Sequence, residues 1–171
     1  FPRAAAAKGS SRRDGTACRG NWPEHAGWLM RLTRFSDYSL RVLMYAASRD
    51  ERLITIEETA ATYRISRAHL TKVCHQLTRA GFLRAVRGRS GGLALAKAPS
   101  EIWIGEVLRL TEPDFALVEC FGGGKDCVIA SRCRLQGVLH EALAAFLAAI
   151  DRYTLADLML NPVDCGLAPA A

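Results

Sequence analysis

No apolar run in the 171-residue sequence approaches the ~18 residues that a membrane-spanning helix needs, so no membrane partner is expected. Its first residues also lack the apolar centre of a secretory signal. No Ser/His/Asp set and no pair of carboxylates stands out, which argues against an enzyme. The sequence Gly122-Gly123-Gly124-Lys125 lacks the Ser/Thr and the strand–helix setting of a phosphate-binding loop. There are six cysteines: Cys18, Cys74, Cys120, Cys127, Cys133 and Cys165. A secreted disulfide scaffold would be shorter and more evenly studded. Reduced thiols in a cytoplasmic protein are expected instead.

Charge is present but unevenly placed. Residues 1–29 carry five basic and two acidic side chains, a balance of +3. Residues 30–100 carry thirteen basic and five acidic, giving +8. Residues 101–171 carry five basic and ten acidic, giving −5, and the whole chain is +6. A basic segment joined to an acidic one points to an anionic partner for the first, above all nucleic acid.

Residues 1–29 show neither helical nor strand periodicity and are rich in Pro, Gly, Ser and Arg, so they are expected to be a disordered extension. Met30 opens a strongly patterned segment and is expected to be the natural start. Over 33–48, Phe35, Leu40, Leu43, Met44 and Ala47 recur at helical spacing, with Thr33 or Ser36 as cap. A second short helix is expected over 55–63, where Thr55 and Glu58 have capping-box spacing. Ser66 then caps a third helix over 67–79, stopped by Gly81. Two short helices across a tight turn make a helix-turn-helix unit. Strands at 82–86 and 93–96, joined by Arg87-Gly88-Arg89-Ser90-Gly91-Gly92, form a wing. The fold class is therefore mainly α: a winged helix-turn-helix over 30–99 with a two-stranded β wing. Ser66, Arg67, His69 and Lys72 on the third helix, with Arg87 and Arg89 on the wing, are the expected DNA contacts.

Beyond Pro99, residues 100–133 are read as a connector helix (102–110, stopped by Pro113) and a Cys-rich loop. A long helix follows over 134–153, in a dimerisation segment 134–160, with a flexible tail at 161–171. Its stripe of Leu135, Leu139, Ala142, Phe146 and Ile150 is broad enough to pack against a second copy. The cysteines of the loop are spaced Cys120-x6-Cys127-x5-Cys133. Zinc ribbons and fingers favour pairs two to four residues apart. Wide gaps beside Gly122, Gly123 and Gly124 suit a larger object such as an iron–sulfur cluster, 4Fe–4S or 2Fe–2S. Zinc, or thiols holding no metal, stay open as alternatives, and with zinc the chain would be a zinc-stabilised interaction module. Three cysteines leave one ligand short; Glu119, Asp126, His140, Glu141, or Asp37 from another subunit, are candidates. Cys74, beside His75 on one helix, reads as a small core residue rather than a catalytic thiol.

Five segments carry a resemblance: 30–41 (MRLTRFSDYSLR), 65–73 (ISRAHLTKV), 86–93 (VRGRSGGL), 111–115 with 118–121 (TEPDF, VECF), and 133–135 with 153–158 (CRL, YTLADL). Over residues 30–160 the sequence resembles the Rrf2 family of winged-helix regulators, in particular its nitric-oxide-responsive repressors. That resemblance implies a cytoplasmic homodimer on a near-palindromic double-stranded DNA operator. It implies an iron–sulfur cluster on Cys120, Cys127 and Cys133, with Asp37 of the other subunit in the position of the fourth ligand. Nitric oxide would damage the cluster and relieve repression of nitrosative-stress and detoxification genes. Gln136 stands where another branch of the family has a His ligand, which argues against that branch. An iron-responsive branch has a similar loop and remains the alternative.

Overall fold

The computed structural model describes residues 31–49, 52–118, 121, 129 and 133–159. The expected extension at 1–29, the start at Met30 and the tail at 161–171 lie outside them. Helix α1 (Arg34–Ala47) begins where the Thr33 hydroxyl accepts the Ser36 N–H at 3.3 Å, satisfying one of the orphan donors of the first turn. Its inner face, Val42, Leu43, Tyr45, Ala46 and Ala47, is buried. Helix α2 (Ile56–Tyr63) is capped by Thr55, whose hydroxyl accepts the Glu58 N–H at 3.1 Å. The reciprocal half of the expected capping box does not form. The Glu58 carboxylate instead accepts the Tyr45 hydroxyl at 2.8 Å and the Arg52 guanidinium at 2.6 Å. A charge-assisted bond to Arg52 is stronger than one to the neutral Thr55 N–H.

Helix α3 (Arg67–Arg79) follows a turn in which Arg64 adopts a left-handed conformation (φ 54°, ψ 42°). Ile65 N–H returns to the Ala60 carbonyl at 3.1 Å and closes that turn. Ser66 sits at the N-cap as expected, yet its hydroxyl makes no capping bond. Leu70, Val73, Cys74 and Leu77 face the core. The helix ends at Gly81 (φ 77°): Gly81 N–H reaches Thr78 O at 3.1 Å and Phe82 N–H reaches Leu77 O at 3.0 Å. Those two bonds are the Schellman closure, which needs a left-handed residue at Gly81.

Strand β1 (Leu83–Val86) pairs antiparallel with β2 (Gly92–Leu95), Leu83 opposite Leu95 and Val86 opposite Gly92. Ile54, just before α2, adds a bridge to Leu93 through bonds of 2.8 and 2.9 Å. The approach is so close that a Cβ on Gly92 would lie 2.7 Å from the Ile54 carbonyl oxygen. The mainly α fold with a two-stranded wing is thus present.

Helix α4 (Ile104–Thr111) buries Ile104, Val107 and Leu108 in the same core. Helix α5 spans Arg134–Ile150, shorter than the expected 134–153. The chain turns at Asp151 because residues beyond it return to the core. Ile104 N–H donates to Tyr153 O at 2.9 Å, Leu155 N–H donates to Ile102 O at 2.8 Å, and Leu155 is fully buried. Arg109 grips Asp151 through two bonds of 2.6 and 2.7 Å, in space left open by Gly105. This pairing holds the Asp151 carboxyl below its ordinary range. It is therefore intact above roughly pH 4 and is lost only as pH falls below the ordinary carboxylate value. By contrast no residue along α5 is buried. Among the described residues no helix is long and apolar enough to cross a membrane.

Gly81→Ala meets no neighbouring atom within 4 Å, so its cost is conformational. It should lower stability by about 1 kcal/mol. Urea unfolding will show a lower midpoint at unchanged slope; an unchanged midpoint would contradict the account of the α3 terminus.

Candidate nucleic-acid interface and cysteine loop

The buried stripe of α3 decides what its other side presents. At about 100° per residue, the side opposite Leu70, Val73, Cys74 and Leu77 carries Ala68, Lys72, His75 and Arg79. All four are exposed, as are Ser66, Arg67 and His69. Sequence reading chose Ser66, Arg67, His69 and Lys72 and missed His75 and Arg79. The signal was available, since they follow Lys72 by three and seven residues, on the same side of a helix. Arg67 is not free: its guanidinium pairs with Glu57 of α2 at 2.5 Å. His69 leans toward Tyr38 of α1, with ring centroids 6.3 Å apart. Lys72, His75 and Arg79 rim an open groove floored by Phe35 and Leu110. The basic edge of α3 thus continues to the end of the helix, where Arg79 also suits the helix dipole.

Arg87 and Arg89 are both exposed on the β1–β2 connection. Gly91 N–H closes that turn on Gly88 O at 3.0 Å. α3 packs directly against β1 and α1. Helix and wing are therefore fixed within one compact unit, Leu29–Met159.

Of the three loop cysteines, Cys133 lies within the described residues, while Cys120 and Cys127 lie outside them, as do the candidate ligands Glu119 and Asp126. Cys133 is half-buried, in no disulfide, and stands at the N-cap of α5. Cysteine sulfur is the usual protein ligand of iron–sulfur clusters, so the donor chemistry of Cys133 fits such a cluster. Asp37, on α1, is half-buried and its Oδ1 accepts Arg41 Nε at 2.9 Å. His140, on α5, stacks on Phe121 with centroids 3.9 Å apart, and its Nδ1 lies 3.0 Å from the Gln136 carbonyl. Glu141 is exposed on the same helix. Among the described residues, no three potential ligands converge on one point.

In the α5 stripe expected to pack against a second copy, Leu135 and Ala142 are exposed, and Leu139 and Phe146 half-buried. Ile150 is different, since it packs partly against the chain's own core.

Comparison with known proteins agrees with this architecture. Residues 32–161 match the Rrf2 family, described as "Iron-dependent Transcriptional regulator". The chain is 50% identical over 137 residues to the HTH-type transcriptional regulator NsrR of Bacillus subtilis, covering 79% of this chain and 94% of that one. NsrR of Shouchella clausii is 49% identical over 137 residues, with 79% and 92% covered. Among solved structures, CymR of B. subtilis, a global cysteine regulator, superposes with a TM-score of 0.59 at 26% identity, covering 76% of this chain and 96% of that one.

Cys74 offers a test of the packing behind α3. Burial pushes its thiol up to about 11, against a small opposing backbone hydrogen bond. Folded protein at pH 7.5 should leave Cys74 unalkylated by iodoacetamide, whereas urea-unfolded protein should react at once. Mass mapping of a fully modified Cys74 in the folded state would show that α3 does not pack as described.

Proposed function

The chain belongs to the Rrf2 family of transcriptional regulators, and from that premise we propose a cytoplasmic homodimeric repressor that senses nitric oxide through an iron–sulfur cluster. Its targets are genes of nitrosative stress and nitric oxide detoxification. One observation carries the reading. Cys133, the last of three loop cysteines, heads the helix whose far end is bonded to Ile102 and Ile104 at the start of α4, in the core that α4 shares with α1 and α3. Events at the loop and the position of α3 are thus linked through one rigid element.

Cys120, Cys127 and Cys133 hold the cluster, and Asp37 of the partner subunit completes it. The cluster, when bound, supplies iron that reacts with nitric oxide. Asp37 stands on α1, and α1 packs against α3. A carboxylate shared with the loop of a second copy would tie α1 to that loop, and Asp37 holds Arg41 through Oδ1 alone. That gives a route from the loop to the DNA-reading helix.

On DNA, two copies of α3 enter successive major grooves of a near-palindromic site, about one helical turn apart. Ser66, Arg67, His69 and Lys72 face the groove or its phosphates, and Arg87 and Arg89 hold the adjoining backbone. Leu135, Leu139, Ala142 and Phe146 meet the second copy, with Ile150 at the inner end of the stripe. The description of the family as iron-dependent favours one second reading, a regulator that follows iron supply.

Three experiments test these statements. Anaerobically purified protein should be brown, and nitric oxide should abolish both its cluster absorbance and its operator gel shift. A cluster indifferent to nitric oxide but dependent on iron supply supports the second reading, and a colourless protein removes the sensor. Arg67→Ala should weaken operator binding by about 1–3 kcal/mol if Arg67 contacts a base, with the dimer intact; unchanged affinity removes it from the interface. Leu135→Glu should shift the protein to monomer in sedimentation, and a persistent dimer would place the interface elsewhere.

A further inference from the structure

Glu57 and Glu58 are neighbours in the first turn of α2, yet their carboxylates go to different partners. Glu58 takes Tyr45 and Arg52. Glu57 reaches across the turn to the first residue of α3, where its Oε1 lies 2.5 Å from Arg67 Nη2. Arg67 stands where a cation is least favoured, since the N-terminus of a helix carries partial positive charge. The first turn of α3 holds no acidic residue to offset it. The compensating carboxylate comes from α2 instead. Both side chains stay more than half exposed, so the pair lies on the surface of the helix-turn-helix and not in its core.

In a helix-turn-helix, the N-terminal residues of the second helix are those that reach base edges. An arginine at that place meets two kinds of acceptor. Phosphates are charged, and a guanidinium spent on them carries no sequence information. A guanine edge offers neutral acceptors in fixed positions. A carboxylate beside the guanidinium changes the balance between the two. The pair has no net charge, so its attraction to phosphate falls, and the carboxylate itself is repelled. A guanidinium has five N–H donors, and the contact with Glu57 engages one nitrogen, which leaves others for a base.

We propose that Glu57 is a specificity-determining positioning residue: it keeps Arg67 from the phosphates and presents it to a base edge with hydrogen-bond acceptors, guanine above all. This rests on the reading above that Arg67 faces the groove. Sequence-independent affinity is given up and discrimination is gained.

The test uses the full chain, purified anaerobically, as wild type, Glu57→Gln, Arg67→Ala and the double variant. Gel shifts measure binding to two duplexes: one enriched by the wild type from a randomised pool, and a shuffled one of equal base composition. The readout is the ratio of the two affinities in one preparation, which partial unfolding leaves unchanged because it scales both. Glu57→Gln should bind the shuffled duplex more tightly, with a salt slope steeper by about 1, and gain less on the enriched one. The ratio should fall about fivefold, the upper end of what exposed ion pairs contribute. In the Arg67→Ala background the same substitution should leave the ratio within about twofold, because no arginine remains to be directed. An unchanged ratio in Glu57→Gln overturns the proposal. So does an equal fall in the Arg67→Ala background, since the carboxylate would then act on DNA directly. If Arg67→Ala itself keeps the wild-type ratio, Arg67 reads no base, and the proposal falls together with the place of Arg67 in the interface. A wild type that enriches no duplex sinks the sequence-specific reading as a whole.

Discussion

Burial of Leu70, Val73, Cys74 and Leu77 is the constraint on which the exposed, basic side of α3 depends. An α-helix has one rotational setting for a given buried stripe, so fixing those four side chains fixes every other residue of α3 in direction. Leu70 and Leu77 are fully buried and Val73 and Cys74 nearly so, which leaves little freedom to roll. α1 and β1 supply the walls, and the Schellman turn at Gly81 sends the chain straight from α3 into the wing. α3 and the wing thus share one frame. A disturbance that tilts α1 reaches both, because no flexible linker separates them.

α5 is anchored very differently at its two ends. Its C-terminal end is held by the Arg109–Asp151 fork, two backbone bonds to the strand-like segment before α4, and Leu155 in the core. Its N-terminal end is Cys133. Between them no residue is buried. The α5 helix of 17 residues spans about 25 Å, so a small angular change at the clasped end is a displacement of several ångströms at the cysteine.

Much of this was legible because local chemistry and global packing agree. The starts of α1 and α2 follow from Thr33 and Thr55 and the end of α3 from Gly81, each acting on its immediate neighbours, while Ser66 marks the start of α3 without a capping bond. The readings that changed are those where a distant group competes. Glu58 was assigned to its own helix cap, but Tyr45 and Arg52 capture it from elsewhere in the fold. α5 was read through residue 153 because Asp151, Arg152 and Tyr153 are compatible with helix. The burial of Leu155 against Ile102 ends it earlier, and that contact joins residues 53 positions apart in sequence. The pairing of Arg67 with Glu57 and the stack of Phe121 on His140 were likewise invisible to periodicity. His75 and Arg79 were a different matter, since the helical wheel alone would have placed them beside Lys72. The metal-binding chemistry was read from cysteine spacing and resemblance.

The bare flank of α5 also bears on how the protein is made. Synthesis delivers α1 to β2 first and α5 afterwards, and Leu155, which completes the shared core, emerges later still. In the single chain Leu135 and Val138, 59% and 60% exposed, stand in water, and a surface able to accept a second copy would also accept any other exposed apolar chain. Assembly and aggregation then compete for one surface. Two copies translated from one message, close together and at high local concentration, favour the first outcome.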